Sequence, residues 1–396
     1  MKPHHIPSTL PEPSPEAQQQ SARLKDLIRE EIRRAGGRLR FDQFMAQALY
    51  RLGLGYYAQA GQIFGEGGDF ITAPELSPLF GRCLARQARQ VLQELGGGEL
   101  VEFGAGSGVL AETLLRELEA LDCLPERYTI VDVSPSLVQR QQERLRQNLP
   151  HLFPRIQWRE SCPQGFRGMV VGNEVLDALP VHKVRFRHDG RHEELFVADE
   201  AGRLVWAAGE PSSPRLKQVL EEIYRQHGEG MVDGYESEVN LAAERWLENL
   251  AGALEQGVVI LIDYGFPRHE FYHPERHQGT LMCHYQHHVH PDPLILPGLQ
   301  DVTSHVDFTA IAESALACGL QLEGFTSQAY FLIACGIEQM LAELEPESLD
   351  FLRQAQAVKK LLMPHEMGEL FKVIGLSKGF SSPLLGFSLL DQRGRL

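Results

Sequence analysis

The chain contains a glycine-rich turn between an apolar segment and a segment with helical periodicity. The stretch "LVEFGAGSGVLAETLL" (residues 100–115) carries an acid followed by three alternating glycines. Glycine allows a ligand to approach the backbone closely, and the start of a helix presents N–H groups without intrahelical partners. The pattern predicts a cofactor cradle, with a tight turn that holds no ligand as the alternative. The predicted cofactor-binding residues of this turn are Glu102, Gly104, Gly106 and Gly108.

The spacing of these glycines indicates the type of cofactor. A dinucleotide fingerprint has its third glycine at the position that Val109 occupies here, whereas this chain has Gly108 one residue earlier. Glu102 would repel a pyrophosphate, but it would attract the ammonium group of S-adenosylmethionine. We therefore expect S-adenosylmethionine as the cofactor rather than NAD.

A second acid follows the next apolar segment, "YTIVDVS", which places Asp132 at the tip of a predicted strand. An acid at this point can accept hydrogen bonds from both ribose hydroxyls of a nucleoside cofactor. NAD enzymes share the feature, so it does not discriminate between cofactors, and a solvated loop acid is the alternative. Glu160, after "RIQWRE", is a weaker candidate for the adenine amino group, and a surface acid is the preferred interpretation there.

The stretch "NEVLDALP" (residues 173–180) follows the fourth predicted strand. Asn173, Glu174 and Asp177 should then lie at the carboxyl edge of the sheet, where open α/β folds bind ligands. Methyl transfer is an in-line displacement, so an enzyme mainly positions the nucleophile. A guanidinium acceptor is always charged, and carboxylates would fix its orientation. We take Glu174 and Asp177 as catalytic candidates and Asn173 as a cofactor-binding residue; the alternative is that they cap a following helix.

A third polar segment is "DVTSHVDF" (residues 301–308), which contains Asp301, His305 and Asp307. His305 is a catalytic candidate, because a histidine between acids can orient a substrate or take a proton. The alternative is a helix cap, with Asp307 or Thr309 at the N-cap position.

An irregular segment near the N-terminus adds further candidates. "GDFITAPELSPLFG" (residues 68–81) contains Asp69, Thr72 and Glu75. We expect this loop to close over the cofactor as a lid, with Thr72 and Glu75 among the cofactor-binding residues. The histidines of "HYQHHVH" (residues 284–290) are interpreted as solvated loop residues, because neither a carboxylate set nor a cysteine pair accompanies them. No metal is expected.

The elements that must position these residues alternate between strand and helix from about residue 99. Such alternation predicts βαβ units and a parallel sheet. From Lys183 to Trp206 the period drops to two, which predicts a β-hairpin insertion with Asp189 and Gly190 at its turn. The apolar strand "GVVILIDYG" then resumes the sheet. The predicted organisation is a disordered tail (1–20), an N-terminal helical and lid region (21–95), and a core (96–396) with insertions near 182–235 and 268–300 and added helices near 336–372.

Charge and composition restrict the function classes. The 38 basic and 53 acidic side chains give a formal charge of −15, which disfavours a nucleic-acid partner. Six cysteines without a C-x-x-C pair favour a reducing compartment, and no apolar run is long enough for membrane insertion. The first twenty residues have neither secretory nor transit-peptide character. We expect a cytoplasmic protein rather than one of the mitochondrial matrix, and the sequence leaves the oligomeric state open.

Across residues 25–390 the chain resembles the MidA-type S-adenosylmethionine-dependent methyltransferases, a family that includes the mitochondrial complex I assembly-factor protein arginine methyltransferase. Asp132 departs from the glutamate usual in the family, and either carboxylate can hold a ribose. The resemblance rests on these stretches: "GYY", "GDFITAPELSPLFG", "LVEFGAGSGVLA", "IVDVSPSL", "GNEVLDALPVHK", "LIDYG", "PGLQDVTSHVDF" and "MPHEMGELFKV".

The resemblance implies an α/β fold: a class I methyltransferase (Rossmann-like) central sheet with an N-terminal helical extension, a β-hairpin insertion and C-terminal helical additions. It also implies methylation of arginine on a protein substrate, one with an exposed arginine. Two alternatives stay open. The first is an assembly factor that keeps the cofactor pocket but acts by holding a partner protein, and the second is a small-molecule methyltransferase.

Overall fold

The computed structural model describes residues 10–58, 72–346 and 348–396. Its helices are α1 (Pro15–Arg34), α2 (Phe41–Tyr50), α3 (Ala73–Leu76), α4 (Pro78–Leu95), α5 (Val109–Ala120), α6 (Pro135–Asn148), α7 (Pro214–His227), α8 (Leu241–Ala253), α9 (Arg268–Phe271), α10 (Phe308–Ala317), α11 (Gln328–Ala334), α12 (Ile337–Ala342) and α13 (Leu349–Leu362). Its strands are β1 (Arg38–Arg40), β2 (Glu99–Phe103), β3 (Arg127–Val131), β4 (Ile156–Arg159), β5 (Phe166–Asn173), β6 (His182–Phe186), β7 (Glu193–Glu200), β8 (Arg203–Gly209), β9 (Tyr235–Val239), β10 (Leu254–Phe266), β11 (Met282–Tyr285), β12 (His288–His290), β13 (Asp301–Thr303), β14 (Val306–Asp307), β15 (Gln321–Ser327) and β16 (Phe371–Lys378).

The central sheet has the strand order β15-β16-β10-β5-β2-β3-β4, with β14 beside the end of β10. The pairs from β10 to β4 are parallel, and β16 runs antiparallel to both of its neighbours. This mostly parallel sheet agrees with the predicted class I methyltransferase fold. Because parallel strands end at one edge, the segments after β2, β3, β5 and β10 meet there.

Helices cover both faces of this sheet, which explains why its strands are continuous apolar runs. Successive residues point to opposite faces, so Val259 packs against α8 and α10 whereas Ile260 packs toward α4 and α5. Gly81 of α4 lies so close to α5 that an added Cβ would be 2.8 Å from the Thr113 methyl. Helix α4 therefore shares the apolar core of the sheet. Three glycines (residues 96–98) follow the helix, and the first of them, Gly96, ends it with φ 71°.

A second, five-stranded sheet forms from the predicted hairpin and its neighbours. β6 and β7 pair antiparallel, with Lys183 opposite Leu195, so the hairpin is confirmed. The unit is larger than predicted, because β8 and β1 add to β7, and β9 adds to β6. Sequence periodicity cannot show these pairings, since β1 comes from the N-terminal segment, about 160 residues before its partner.

A third, three-stranded sheet (β12-β11-β13) lies under the N-terminal helices. Ser21 of α1 donates a hydrogen bond to the carbonyl of Pro297 at 3.0 Å. The apolar face of α1, with Leu24 and Ile28, packs in one cluster with Cys283 and Val302 of this sheet. The N-terminal segment is thus fixed against an insertion of the core.

The predicted disordered tail is wrong for residues 15–20. Helix α1 begins at Pro15, and the Ser14 hydroxyl accepts a hydrogen bond from the Ala17 N–H at 3.2 Å. A serine N-cap followed by proline in the first turn is a strong helix start, which outweighs the polar composition of this stretch. Residues 1–9 lie outside the described ranges. Among the helices of those ranges, none is both long and apolar enough to cross a membrane.

Candidate active site

The glycine turn connects β2 to α5 at the carboxyl edge of the sheet. Gly104, Gly106 and Gly108 have φ values of 64°, 53° and 83°. Residues with a Cβ rarely adopt this region, so the turn requires glycine at these positions. Helix α5 begins at Val109, directly after the third glycine. The backbone can therefore approach a ligand at the start of a helix, as the sequence predicts.

Asp132 lies beside this turn, after β3, and is held by two hydrogen bonds. Its carboxylate accepts from the Ser134 N–H at 2.9 Å and from the Gln141 amide at 2.8 Å. The same Gln141 amide donates to the Gly106 carbonyl at 3.0 Å, and its oxygen accepts from the Trp158 indole N–H. Sequence reasoning missed Gln141, which sets the spacing between the turn and the predicted ribose acid.

Glu102 is almost completely buried, at 2% exposure, and lies next to the turn. The Tyr128 hydroxyl donates a hydrogen bond to it at 2.6 Å. Burial raises the pKa of Glu102 to about 7, and the Tyr128 hydrogen bond opposes this shift. A cationic ligand would favour its ionised form, so the predicted contact with an ammonium group is chemically consistent and stays a prediction.

The N-terminal segment contributes to the same site. Glu75 of α3 accepts a hydrogen bond from the Ser107 hydroxyl in the glycine turn. Thr72, at the N-cap position of α3, and Glu75 both line the cavity described next. Asp69, the third predicted residue of this loop, lies outside the described residues. Closure of the loop as a lid stays a prediction.

A cavity of about 1250 Å³ opens at this edge of the sheet. No lysine and no arginine is among the lining residues within the described parts of the chain. The acidic side chains of this lining therefore have no described lysine or arginine to balance them, and acids in a concave site create a negative potential that favours a cation. Among the described residues, seven carboxylate side chains line the cavity: Glu75, Glu102, Asp132, Glu160, Glu174, Asp177 and Asp301.

The segment after β5 does not form the helix that the capping alternative requires, so that alternative is wrong for Asn173 and Glu174. Glu174 has φ 54°, which is unusual for a residue with a side chain. The Asn173 amide donates to the Glu174 carboxylate at 3.0 Å. A Cβ on Gly104 would lie 3.4 Å from Val175, so this segment runs directly beside the glycine turn.

The two predicted catalytic carboxylates occupy this segment and share one wall of the cavity. Burial raises the pKa of Glu174 to about 8, and the charges of Asp177 and Asp301 add to the shift. Burial also raises the pKa of Asp177, to about 6, against the hydrogen bond that it accepts from the Tyr264 hydroxyl. Acids with raised pKa values in a cavity are typical of functional sites.

His305 lines the same cavity, with its ring edge-on to Tyr264 and Phe266 at centroid distances of 5.3 Å. Burial lowers the pKa of His305 to about 4. Its Nδ1 is buried and has no hydrogen-bond partner among the described residues. The imidazole is therefore neutral near pH 7 and does not repel a cation. A role in catalysis stays a prediction, with orientation of the substrate favoured over proton uptake.

Asp307 does not line the cavity, unlike its neighbour His305. Its carboxylate accepts from the Ala310 N–H at 3.1 Å as the N-cap of α10, and it forms an ion pair with Arg268 at 3.2 Å. The cap interpretation therefore applies to Asp307.

Three tyrosines complete the wall and were not singled out from the sequence. Tyr57 donates to Asp301 at 2.9 Å, and Tyr50 donates to the Ala178 carbonyl at 2.9 Å. Tyr264 is the third. The "GYY" and "LIDYG" stretches contain two of these residues, and their place among the stretches that carry the family resemblance is the signal that could have identified them.

The histidine-rich stretch 284–290 contributes no group of metal-binding side chains among the described residues. A histidine between two acids occurs elsewhere: His182 lies 2.9 Å from Glu194 and 3.8 Å from Asp42. The Arg40 guanidinium already binds both oxygens of Asp42, at 2.9 and 3.1 Å. The Arg40 guanidinium thus already supplies a positive charge to this cluster, which joins α2 to β6 and β7.

Comparison with known proteins identifies the family of this chain. A family model for S-adenosyl-L-methionine-dependent methyltransferases matches residues 83–326. The chain belongs to this methyltransferase family. Its relatives include the Drosophila melanogaster protein named "Protein arginine methyltransferase NDUFAF7 homolog, mitochondrial", at 30% identity over 96% of this chain and 92% of the relative. The human protein named "Protein arginine methyltransferase NDUFAF7, mitochondrial" is 27% identical over 88% of this chain and 86% of the relative.

A solved structure gives the same assignment. The Burkholderia thailandensis protein crystallised with S-adenosyl-homocysteine superimposes with a TM-score of 0.93 at 44% identity, covering 98% of this chain and 100% of that chain. The cofactor of this methyltransferase is therefore S-adenosylmethionine, which supplies an electrophilic methyl group on a sulfonium. The positive-φ glycines, Asp132 and the acidic wall suit a nucleoside that carries positive charge, and we expect these residues to hold it.

The ligand-free methyltransferase is expected to lose stability as the pH rises from 5 to 8.5. Folding raises the pKa of Asp177 to about 6, of Glu102 to about 7 and of Glu174 to about 8. A raised pKa means that the folded state holds the proton more tightly, so this stabilisation is complete below about pH 4 and disappears as pH rises through each value. Thermal unfolding between pH 5 and 8.5 measures it.

Glu174→Gln isolates one of these groups, because glutamine stays neutral. We expect the variant to unfold about 2–4 °C higher than the parent at pH 8.5 and at the same temperature at pH 5. If the unfolding temperatures of parent and variant change with pH in the same way, the raised pKa of Glu174 is contradicted.

Proposed function

We propose that this methyltransferase transfers the methyl group to the guanidinium of an arginine in a protein substrate. The observation that carries the proposal is the cavity wall, where seven carboxylates and no described lysine or arginine surround the space beside the glycine turn. The cofactor accounts for part of this negative charge. The carboxylates of the segment after β5 remain for a second cation.

A guanidinium suits these carboxylates for a geometric reason. Its planar N–H groups can bind a carboxylate through two parallel hydrogen bonds, which fix its orientation as well as its position. Glu174 would supply this contact, and a guanidinium would in turn favour the ionised form of Glu174. The acceptor nitrogen would take the methyl group from the sulfonium, which would leave as a neutral thioether, and the nitrogen would lose one proton. Asp177, with a pKa of about 6, is suited to receive that proton near neutral pH.

The names of the relatives support the same acceptor. The proteins of Drosophila melanogaster, Caenorhabditis elegans and Homo sapiens are named protein arginine methyltransferases. Their identities to this chain lie between 26% and 30%, so their acceptor is a proposal here.

The test uses S-adenosylmethionine labelled on its methyl group. The purified protein is incubated with a lysate of its own source, labelled proteins are isolated, and the modified residue is identified by mass spectrometry. We expect label on arginine, and an Arg→Lys change at the identified position of the target should abolish it.

Other outcomes would contradict the proposal in distinguishable ways. Label on lysine or histidine would keep a protein methyltransferase and exclude arginine. Label confined to metabolites below about 1 kDa would indicate a small-molecule acceptor. A partner protein retained in stable complex, with no label in any fraction, would indicate an assembly factor that only binds its cofactor.

A further inference from the structure

The segment after β5 is held in place from outside, because it has no regular secondary structure of its own. Glu174 adopts φ 54°, a conformation that is unfavourable for a residue with a side chain and that persists only where the surroundings fix it. The direction of the Glu174 side chain depends on that conformation. The contacts that maintain it therefore determine where the predicted catalytic carboxylates point.

Strand β10 provides the main contacts. The Glu174 N–H donates to the Ile262 carbonyl at 2.9 Å and continues the sheet by one residue. The next two contacts go to a single side chain: the N–H groups of Leu176 and Asp177 both donate to Oδ2 of Asp263, at 2.9 and 3.2 Å. One carboxylate oxygen thus fixes the backbone at two consecutive residues, Leu176 and Asp177.

The other oxygen of Asp263 is fixed as well. Oδ1 accepts from the Tyr264 N–H at 2.9 Å, so three N–H donors surround the group. Burial, together with the charges of Asp177 and Glu174, raises the pKa of Asp263, and the hydrogen bonds from the N–H groups of Asp177 and Leu176 oppose this shift. Donors alone contact its oxygens among the described residues, which is the surrounding of a carboxylate rather than of a protonated acid. Asp263 is 1% exposed and does not line the cavity, so it does not touch the ligands.

We infer that Asp263 is a positioning residue for methyl transfer: its carboxylate holds the segment after β5 so that Glu174 and Asp177 face the transferred methyl group. The inference rests on the place of Glu174 in the proposed function, but it does not depend on arginine as the acceptor. Any cationic or N–H-bearing acceptor would need the same carboxylates in place.

The test compares two ligands that differ only at the sulfur and at the methyl position. S-adenosylhomocysteine has a neutral thioether sulfur and no methyl group, whereas sinefungin has a carbon in place of the sulfur, and this carbon carries a charged amino group where the methyl group would be. The ratio of their dissociation constants reports how well the carboxylates face that position, without any acceptor. In Asp263→Asn, the amide cannot accept from all three N–H groups. We expect sinefungin to lose about tenfold or more in affinity relative to S-adenosylhomocysteine, whose own affinity changes by less than about threefold.

Asp391→Asn is the matched control. Asp391 also accepts from two backbone N–H groups, those of Phe325 and Arg393, and it lies away from the cavity. Asp391 is exposed and also forms an ion pair with Arg393 at 2.7 Å, so this variant controls for the loss of an acceptor of two backbone N–H groups and not for burial. An effect of losing such an acceptor anywhere in the chain would appear in both variants, and only Asp263→Asn should change the ligand ratio. Once the acceptor is identified, kcat should fall about 10- to 100-fold in Asp263→Asn with little change in KM for S-adenosylmethionine.

Hydrogen exchange on the unaltered protein gives a second measurement, in case Asp263→Asn does not fold. The amides of Leu176 and Asp177 should be protected although they belong to no helix or strand. Rapid exchange at both amides, or an unchanged ligand ratio in a folded Asp263→Asn, would overturn the inference. A changed ratio together with label on a residue other than arginine would leave it intact and reject only the proposed acceptor.

Discussion

Glu174→Gln is expected to slow methyl transfer by about 100-fold or more, while S-adenosylhomocysteine binds within about threefold of the parent. Glutamine keeps the size of the side chain and one acceptor oxygen, but it removes the charge that would fix a cationic acceptor. The loss corresponds to about 3 kcal/mol of transition-state stabilisation. Because burial raises the pKa of Glu174, its carboxyl group ionises most readily when cationic ligands occupy the cavity.

Two measurements on the same preparation check this result: calorimetric titration with S-adenosylhomocysteine, and transfer of labelled methyl groups to the identified target. Glu248→Gln, an exposed change on α8, serves as the control and should leave both unchanged. Loss of binding together with transfer would place Glu174 in the cofactor site or in the fold, where it also contacts the Ala73 N–H. If both stay intact, the role passes to Asp177 or to the Asp301–His305 segment.

Gly106→Val is expected to abolish detectable binding of S-adenosylhomocysteine and leave the sheet folded. Gly106 has φ 53°, a region that a β-branched residue essentially never adopts. Its carbonyl also accepts from Gln141, the side chain that holds Asp132, so a shift of the turn would displace the predicted ribose acid as well. We expect a loss of affinity of at least about 100-fold, or about 3 kcal/mol.

Gly190→Val separates backbone strain from loss of the cradle. Gly190 has φ 77° in the hairpin turn, with open space where a Cβ would lie. This control should lose some thermal stability and bind S-adenosylhomocysteine like the parent. Normal binding by a folded Gly106→Val would show that the turn is not the cofactor cradle.

The parts of the fold that the sequence predicts are those set by local pattern. Strand periodicity, glycines before a helix and an acid at a strand tip lie within about 35 residues, and they correctly give the parallel sheet, the turn and the position of Asp132. The helix start at Ser14 and Pro15 is just as local. The polar composition of residues 1–20 favours disorder, but the serine cap and the proline of the first turn are the stronger signal.

The parts that could not be predicted depend on pairs far apart in the chain. Asp263 holds Asp177 across 86 residues, and Tyr57 reaches Asp301 across 244. Nothing in the composition of either partner specifies the other, because the pairing follows from strand order and insertion placement. The sequence therefore identified most of the cavity acids, but it gave neither their hydrogen-bond partners nor the absence of a helix after β5.

The packing of α1 and α2 on the third sheet has a consequence for protein synthesis. Tyr57 leaves the ribosome 244 residues before Asp301, which corresponds to about 12–50 s at ordinary elongation rates. During that interval the apolar side chains of α1, among them Leu24, Ile28 and Ile32, have no β11 or β13 to pack against. Until then, among the described elements, α1 has only α2, β1 and β7 as partners, so the nascent chain carries an incompletely covered amphipathic helix, and chaperone binding and aggregation compete with folding in this period.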